Sequence, residues 1–283
     1  MKVHAIQTGL VRTKTAQLVA PHPGPRGLVG ILTDPDWGDW LPTYAWAIEH
    51  EEGVIVVDSG QAMYLLEEQA HAIHPFMRWN ARFRMTPEDE IGPQLKARGI
   101  APRDVTKVVL THMHIDHDAG ISHFPRSQIL VAGGELEKAR GVMGRIRGYL
   151  PHRWPKDFEP VALGMADGAF GPFAASQRLT RAGDVVVVAT PGHTADHVSV
   201  IADDGEVSII LAGDTSYTEA AMLAGQIDGI SPNAATTAGT LSAIRQFAAE
   251  RPTIYLPTHD PRSGARLEAR QIVPAPVRTA GAA

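Results

Sequence analysis

Apolar residues recur along the chain in short runs closed by Gly, Asp or Pro, with stretches of helical spacing between them. Residues 43–49 (TYAWAIE) and 53–58 (GVIVVD) flank the turn His50-Glu51-Glu52-Gly53, which predicts a β-hairpin. Further strands are predicted at 107–111 (KVVLT), 128–131 (QILV), 185–190 (VVVVAT), 197–201 (HVSVI) and 206–212 (EVSIILA), and residues 1–9 read as an opening strand. A helix is predicted over 87–98, with Thr86 as cap, Pro87 in the first turn and the acids Glu88, Asp89 and Glu90 after it. Two more are predicted at 133–140 and 234–250, the second with Leu241, Ile244 and Phe247 on one face. Strands and helices alternate, yet several neighbouring strands read as antiparallel pairs. The expectation is therefore an α/β protein with mixed sheets.

Two segments break this rhythm. Residues 61–86 and 139–178 are loop-rich and carry many aromatics and methionines, as lids and pocket walls do. Trp79, Phe83, Met143 and Ile146 are the expected wall residues, while Trp37 and Trp40 either approach the same site from the N-terminal loop or pack on the surface. Without a linker or charge run, residues 1–270 read as one domain, and the Pro/Ala-rich end 271–283 as a flexible tail. The apolar insertions also suggest a homodimer.

Composition narrows the chemistry. Apolar residues make up 44% of the 283, so a packed core is available. Lys and Arg number 26 against 31 Asp and Glu, a net charge of −5 that argues against nucleic acid and anionic membranes as partners. The absence of cysteine removes disulfides, thiol nucleophiles and thiolate metal sites. No apolar run reaches membrane-spanning length, and the start lacks a signal-peptide core, so a cytoplasmic location is expected. The 13 histidines stand out because they cluster.

His112-Met113-His114-Ile115-Asp116-His117 holds three imidazoles and a carboxylate in a loop leaving a predicted strand. These are borderline-to-hard ligands suited to Zn, Fe, Mn or Co. His112 and His114 can share one ion, while Asp116 and His117 face a second. One loop cannot complete two sites. His193 in Thr190-Pro191-Gly192-His193, Asp214 in Gly213-Asp214-Thr215 and His259 in Pro257-Thr258-His259-Asp260 each follow a predicted strand, where sites in sheet proteins gather. His197 exceeds the ligand count and is read as a supporting or core histidine, with Asp196 as a turn cap. No Ser, Cys or Lys nucleophile is required.

This order of HxHxDH, His, Asp and His resembles the metallo-β-lactamase superfamily over most of the chain, from Asp58 to His259. The resemblance implies a four-layer αβ/βα sandwich of two mixed sheets flanked by helices. It assigns His112, His114 and His193 to one metal, Asp116, His117 and His259 to the other, and Asp214 as the bridge. Asp58, at the end of Val56-Val57-Asp58, matches the aspartate that supports the ligand loop. The lack of cysteine separates the chain from the β-lactamases that use a zinc-bound thiolate. His114 separates it from the flavodiiron branch, which has Glu there.

Asp214-Thr215-Ser216-Tyr217 is similar to the Asp-x-x-Tyr segment of the N-acyl-homoserine lactone lactonases, with Tyr217 at the position that contacts the substrate carbonyl. Pro257-Thr258-His259-Asp260 resembles the Gly-His-Asp element of that branch, with Thr258 in place of Gly. The implied function is a quorum-quenching hydrolase that opens the lactone ring by attack of a hydroxide shared by two divalent ions, zinc first among them, held about 3.5–4 Å apart. Asp116 and Tyr217 are the implied catalytic residues: Tyr217 polarises the carbonyl and Asp116 passes a proton to the leaving alkoxide. A broader lactonase, an esterase or a phosphotriesterase on the same site remains the alternative, because substrate choice resides in the loops.

Overall fold

The computed structural model describes residues 1–20, 25–71, 79–141, 144 and 148–274. The expected wall residues Met143 and Ile146 and most of the expected tail lie outside these. Two sheets dominate. The first has the order β4-β1-β2-β3-β5-β6-β7, built from β1 (Lys2–Thr13), β2 (Leu41–His50), β3 (Gly53–Val57), β4 (Ala81–Arg84), β5 (Val105–Val109), β6 (Gln128–Ala132) and β7 (Val161–Leu163). The second has the order β12-β11-β10-β9-β8, built from β8 (Ser176–Arg178), β9 (Val185–Ala189), β10 (Val198–Asp203), β11 (Ser208–Gly213) and β12 (Thr253–Pro257). Both are mixed: β3, β5, β6 and β7 are parallel, as are β11 and β12, and the remaining pairs are antiparallel.

Strand alternation builds the layers. In β2, Tyr44, Trp46 and Ile48 point between the sheets and meet Val185, Val187, Val200 and Leu211 of the second sheet. Ala45 and Ala47 point the other way, against Ile91 and Leu95 of the helix Ile91–Ala97. The far face of the second sheet packs through Val186, Ile201 and Ile210 on Leu241, Ile244 and Phe247 of the helix Ala234–Glu250. Helix, sheet, sheet and helix form the four layers. Strands covered on both faces read as continuous apolar runs, which is why VVVVA and SIILAG carry so little alternation.

The predicted hairpin is present as β2–β3, in register from Trp46↔Val57 to His50↔Gly53. The helix predicted over 87–98 is divided. Thr86 and Asp89 close a capping box over a single turn, Pro87–Asp89, and the α-helix begins only at Ile91. Between them Glu90 is extended, with φ −60° and ψ 149°, and its carboxylate accepts from the Met63 N–H and lies 2.7 Å from His123 Nε2. Restarting at Ile91 also puts Pro93 in a first turn, where its missing N–H leaves no intrahelical bond unmade.

Candidate metal centre

β9 and β11 both pair antiparallel with β10, so they run the same way, and β12 runs parallel to β11. The C-terminal ends of β3, β5, β9, β11 and β12 meet along one edge of the sandwich. They deliver Asp58, His112, His193, Asp214 and His259. All seven residues expected as ligands come together there. His112 Nε2, His114 Nδ1 and His193 Nε2 converge, 3.0 and 3.1 Å apart along the chain of three. The Asp214 carboxylate lies 3.4 Å from both His193 Nε2 and His117 Nε2 and 3.3 Å from His259 Nε2. Asp116 Oδ2 is 3.5 Å from His259 Nε2. Within one set, His112, His114 and His193, and within another, Asp116, His117 and His259, the donor atoms all lie within 4.8 Å of one another.

The outer nitrogens explain this convergence. His117 Nδ1 donates to Asp58 Oδ2 at 2.9 Å, His193 Nδ1 to Asp228 Oδ2 at 3.0 Å, and His259 Nδ1 to the Pro42 carbonyl at 2.9 Å. His112 Nδ1 sits 3.1 Å from Thr111 Oγ1, whose hydroxyl donates to Asp58. An acceptor on Nδ1 fixes the proton there and turns the Nε2 lone pair inward. His117 Nε2 and Asp214 Oδ1 are buried without a hydrogen-bond partner. These orphaned lone pairs, and the all-acceptor character of the facing groups, fit a pair of divalent cations.

Electrostatics agree. Burial, with His117 and His114 alongside, holds His112 well below the usual imidazole range, and burial with His193 does the same to His114. Burial also opposes charge on His117 and His259, but carboxylates overcome it and raise both: chiefly Asp214 and Asp58 for His117, and Asp214 for His259. Asp214 is held well below its ordinary value despite burial, by His259 and His117. The pocket thus favours positive charge beside its carboxylates. His197, pushed down to about 3 by burial and His193, stays neutral and accepts the Asp214 backbone N–H on Nε2 at 3.1 Å. It anchors the peptide of Asp214, as expected for a supporting histidine.

Asp58 occupies the left-handed region, φ +59°, directly after β3. Its carboxylate accepts from the Thr111 N–H at 2.8 Å and from Thr111 Oγ1 and His117 Nδ1 at 2.9 Å. It therefore braces both ends of the ligand loop. Tyr217 is buried, stacks on His259 with ring centroids 5.6 Å apart, and its hydroxyl accepts from Gln17 Nε2 at 2.9 Å. Burial, then Asp214 and Asp228, raises the phenol well above its usual value, so it remains a donor at neutral pH. A cavity bounded by Val11, Ala81, Phe83 and Ile115 opens onto His114, Asp116 and Tyr217.

Several supporting residues escaped the sequence reading. Asp228 carries the polar-turn signature Asp-Gly, and its Oδ1 accepts from the Ile230 and Ser231 N–H groups, but nothing local links it to His193. Glu135 accepts from the Met113 N–H and the Tyr149 hydroxyl, and the Tyr149 ring packs on His114 at 5.1 Å. Trp154 Nε1 donates to Asp118, tying the second insertion to the ligand loop.

Other expectations need correction. Trp79 is 55% exposed and does not line the cavity, while Phe83 does. For Trp37 and Trp40 the surface placement holds: Trp37 packs against Arg12, Lys14 and Arg82, and Trp40 against Arg84, because alternation along β1, the residue after it and β4 sends these cations away from the cavity. Asp196 pairs with Lys138 instead of capping its turn.

Two mixed sheets with outer helices, and a histidine–aspartate cluster where their strands end, define the metallo-β-lactamase fold. The sequence profile of the metallo-beta-lactamase superfamily matches residues 38–259, and the chain belongs to that family. An N-acyl homoserine lactonase, AiiA, of Bacillus thuringiensis subsp. kurstaki is 29% identical over 185 residues, 63% of this chain and 66% of that protein. A probable metallo-hydrolase of Mycobacterium tuberculosis is 27% identical over 64% of this chain and 59% of its own. The chain thus spans 66% and 59% of the length of these two curated relatives. An N-acyl homoserine lactone hydrolase with N-hexanoyl-L-homoserine at its metal centre superposes with a TM-score of 0.73 at 20% identity, over 96% of this chain and 98% of that one. AidC, a dizinc quorum-quenching lactonase, superposes with a TM-score of 0.60 at 12% identity, over 93% and 90%. Among the described residues no helix is long and apolar enough to cross a membrane.

Proposed function

We propose that residues 1–270 form one catalytic domain that opens the lactone ring of N-acyl-homoserine lactones. The observation that carries this is the convergence of five imidazoles and two carboxylates with the Tyr217 hydroxyl at one cavity. Similarity to several Bacillus lactonases supports the substrate class. His112, His114 and His193 would hold one divalent ion, Asp116, His117 and His259 the other, with Asp214 between them. Zinc suits this nitrogen–oxygen set. Such a pair, when bound, supplies Lewis acidity to a carbonyl and an activated water at neutral pH.

The chain's own groups do the rest. Gln17 fills a lone pair of the Tyr217 oxygen, which leaves the phenolic hydrogen for the lactone carbonyl and the oxyanion that grows there. As the activated water adds to the lactone carbonyl carbon, the carboxylate of half-buried Asp116 takes the proton that the water gives up and passes it to the ring oxygen when the acyl C–O bond breaks. Val11, Ala81 and Phe83 offer an apolar wall to the acyl chain. A cytoplasmic location and a homodimer belong to the same proposal; fractionation and light scattering check them.

The test is ring opening of N-hexanoyl-homoserine lactone by metal-loaded protein, followed as proton release in weak buffer. Turnover is expected, and its loss in His112→Ala/His114→Ala. A protein that holds two ions yet opens no acyl-homoserine lactone would sink the assignment and move the search to esters and phosphotriesters. Tyr217→Phe is expected to keep both ions and to lower kcat on the order of 10²-fold, the scale of one lost oxyanion donor.

A further inference from the structure

Thr13 and Gln17 line the same cavity as His114, Asp116 and Tyr217. They are 6% and 7% exposed, and Thr13 Oγ1 and Gln17 Oε1 are both buried without a hydrogen-bond partner. Buried polar atoms are nearly always paired, so two orphans on one wall of a binding cavity call for a ligand group. One is an acceptor and the other, a hydroxyl, can donate. Together they complement a secondary amide.

Both side chains are fixed in advance. Thr13 faces Ala81 across the β1–β4 pair, so it shares a face with Val11 and Phe83. Gln17 is pinned by the Gly229 N–H, which donates to its backbone carbonyl at 2.9 Å, and by its own Nε2, which donates to Tyr217. Gly229 permits that approach: a Cβ there would sit 2.1 Å from the Ala16 carbonyl oxygen. The wall therefore has an order. Tyr217 comes first, then the Gln17 carboxamide bonded to it, with Thr13 and the apolar Val11, Ala81 and Phe83 on the flanking strands.

An N-acyl-homoserine lactone has the same order of groups. Its amide nitrogen sits on the carbon next to the ring carbonyl, and the acyl chain follows. We propose that Thr13 and Gln17 clamp this amide and so set a preference for acylamido lactones over lactones without the amide. Gln17 Oε1 accepts the amide N–H, and Thr13 Oγ1 donates to the amide carbonyl. The inference rests on the lactonase reading above.

The experiment compares kcat/KM of the metal-loaded enzyme on N-hexanoyl-homoserine lactone and on α-hexyl-γ-butyrolactone, which has the ring and chain but no amide. Thr13→Val, nearly isosteric, is expected to lower the ratio of the two values roughly 3–10-fold, mainly through KM for the acylamido substrate, and Thr13/Gln17→Val/Leu more than tenfold, with kcat falling on both substrates because Gln17 also holds Tyr217. Thr13→Ser, which keeps the hydroxyl, is expected to retain the ratio. A ratio unchanged within twofold in Thr13→Val and Gln17→Leu, on an active enzyme, overturns the clamp and leaves the lactonase standing. Wild-type enzyme holding two ions that opens neither lactone defeats the lactonase reading and the clamp with it.

Discussion

Asp214→Ala is expected to reduce bound metal from two ions per chain to one or none, and to remove more activity than any change outside the ligand set. Its carboxylate lies 3.3–3.4 Å from the inward nitrogens of His193 in one ligand set and of His117 and His259 in the other, so it faces both. It is also an anion facing the inward nitrogens of His117 and His259, and so offsets the positive charge of the cations they would hold. Loss of an outer hydrogen-bond partner at a metal site costs about 10–100-fold, and loss of a shared ligand should exceed that. The backbone bond from the Asp214 N–H to His197 survives the substitution, so the fold is not the casualty. Metal content by emission spectrometry after dialysis, read beside kcat/KM, decides the matter. Two retained ions with activity within tenfold of wild type would remove Asp214 from the bridging position.

Asp58→Ala carries the largest expected effect on stability, roughly 3–5 kcal/mol, the scale of breaking a buried, hydrogen-bonded charge pair. The residue is 1% exposed and accepts three bonds. Alanine leaves the Thr111 N–H and His117 Nδ1 buried and unanswered, each loss worth about 1–3 kcal/mol. It also places a Cβ without polar compensation at φ +59°. Asp58→Asn tolerates that backbone and keeps a neutral acceptor, so its loss should be smaller. Urea unfolding of the metal-free protein, with m unchanged, measures both. A loss below about 1 kcal/mol for alanine would mean that the ligand loop holds itself. Because His117 also loses its orientation, metal affinity should fall in the same variant even where the fold persists.

Local pattern was enough for much of this molecule. HxHxDH packs ligands into six residues, and its chemistry does not depend on what surrounds it. The runs VVVV, SIIL and TIYL declare strands because strands buried on both faces need unbroken apolar sequence. A polar residue at the end of such a run is visible for the same reason, so Asp58, His193, Asp214 and His259 stood out. The division of the 87–98 helix was not visible, because the Glu90 carboxylate is drawn to Met63 and His123 by contacts that no window of sequence contains.

The same limit holds at the site. Which nitrogen of each histidine faces inward depends on acceptors far away in the chain: Pro42 for His259, 217 positions apart, and Asp228 for His193, 35 apart. Gln17 reaches Tyr217 across 200 positions, and Trp37 and Trp40 turn outward because cations on β1 and β4 hold them there. The sequence by itself determined the mixed α/β character and the candidate metal-binding groups, since both follow from residue type and short-range spacing, and the resemblance of the ligand pattern to a known superfamily supplied the layer order. Only the tertiary structure decided their orientation and the polar order of the pocket wall, since hydrogen-bond partners are chosen by proximity in space.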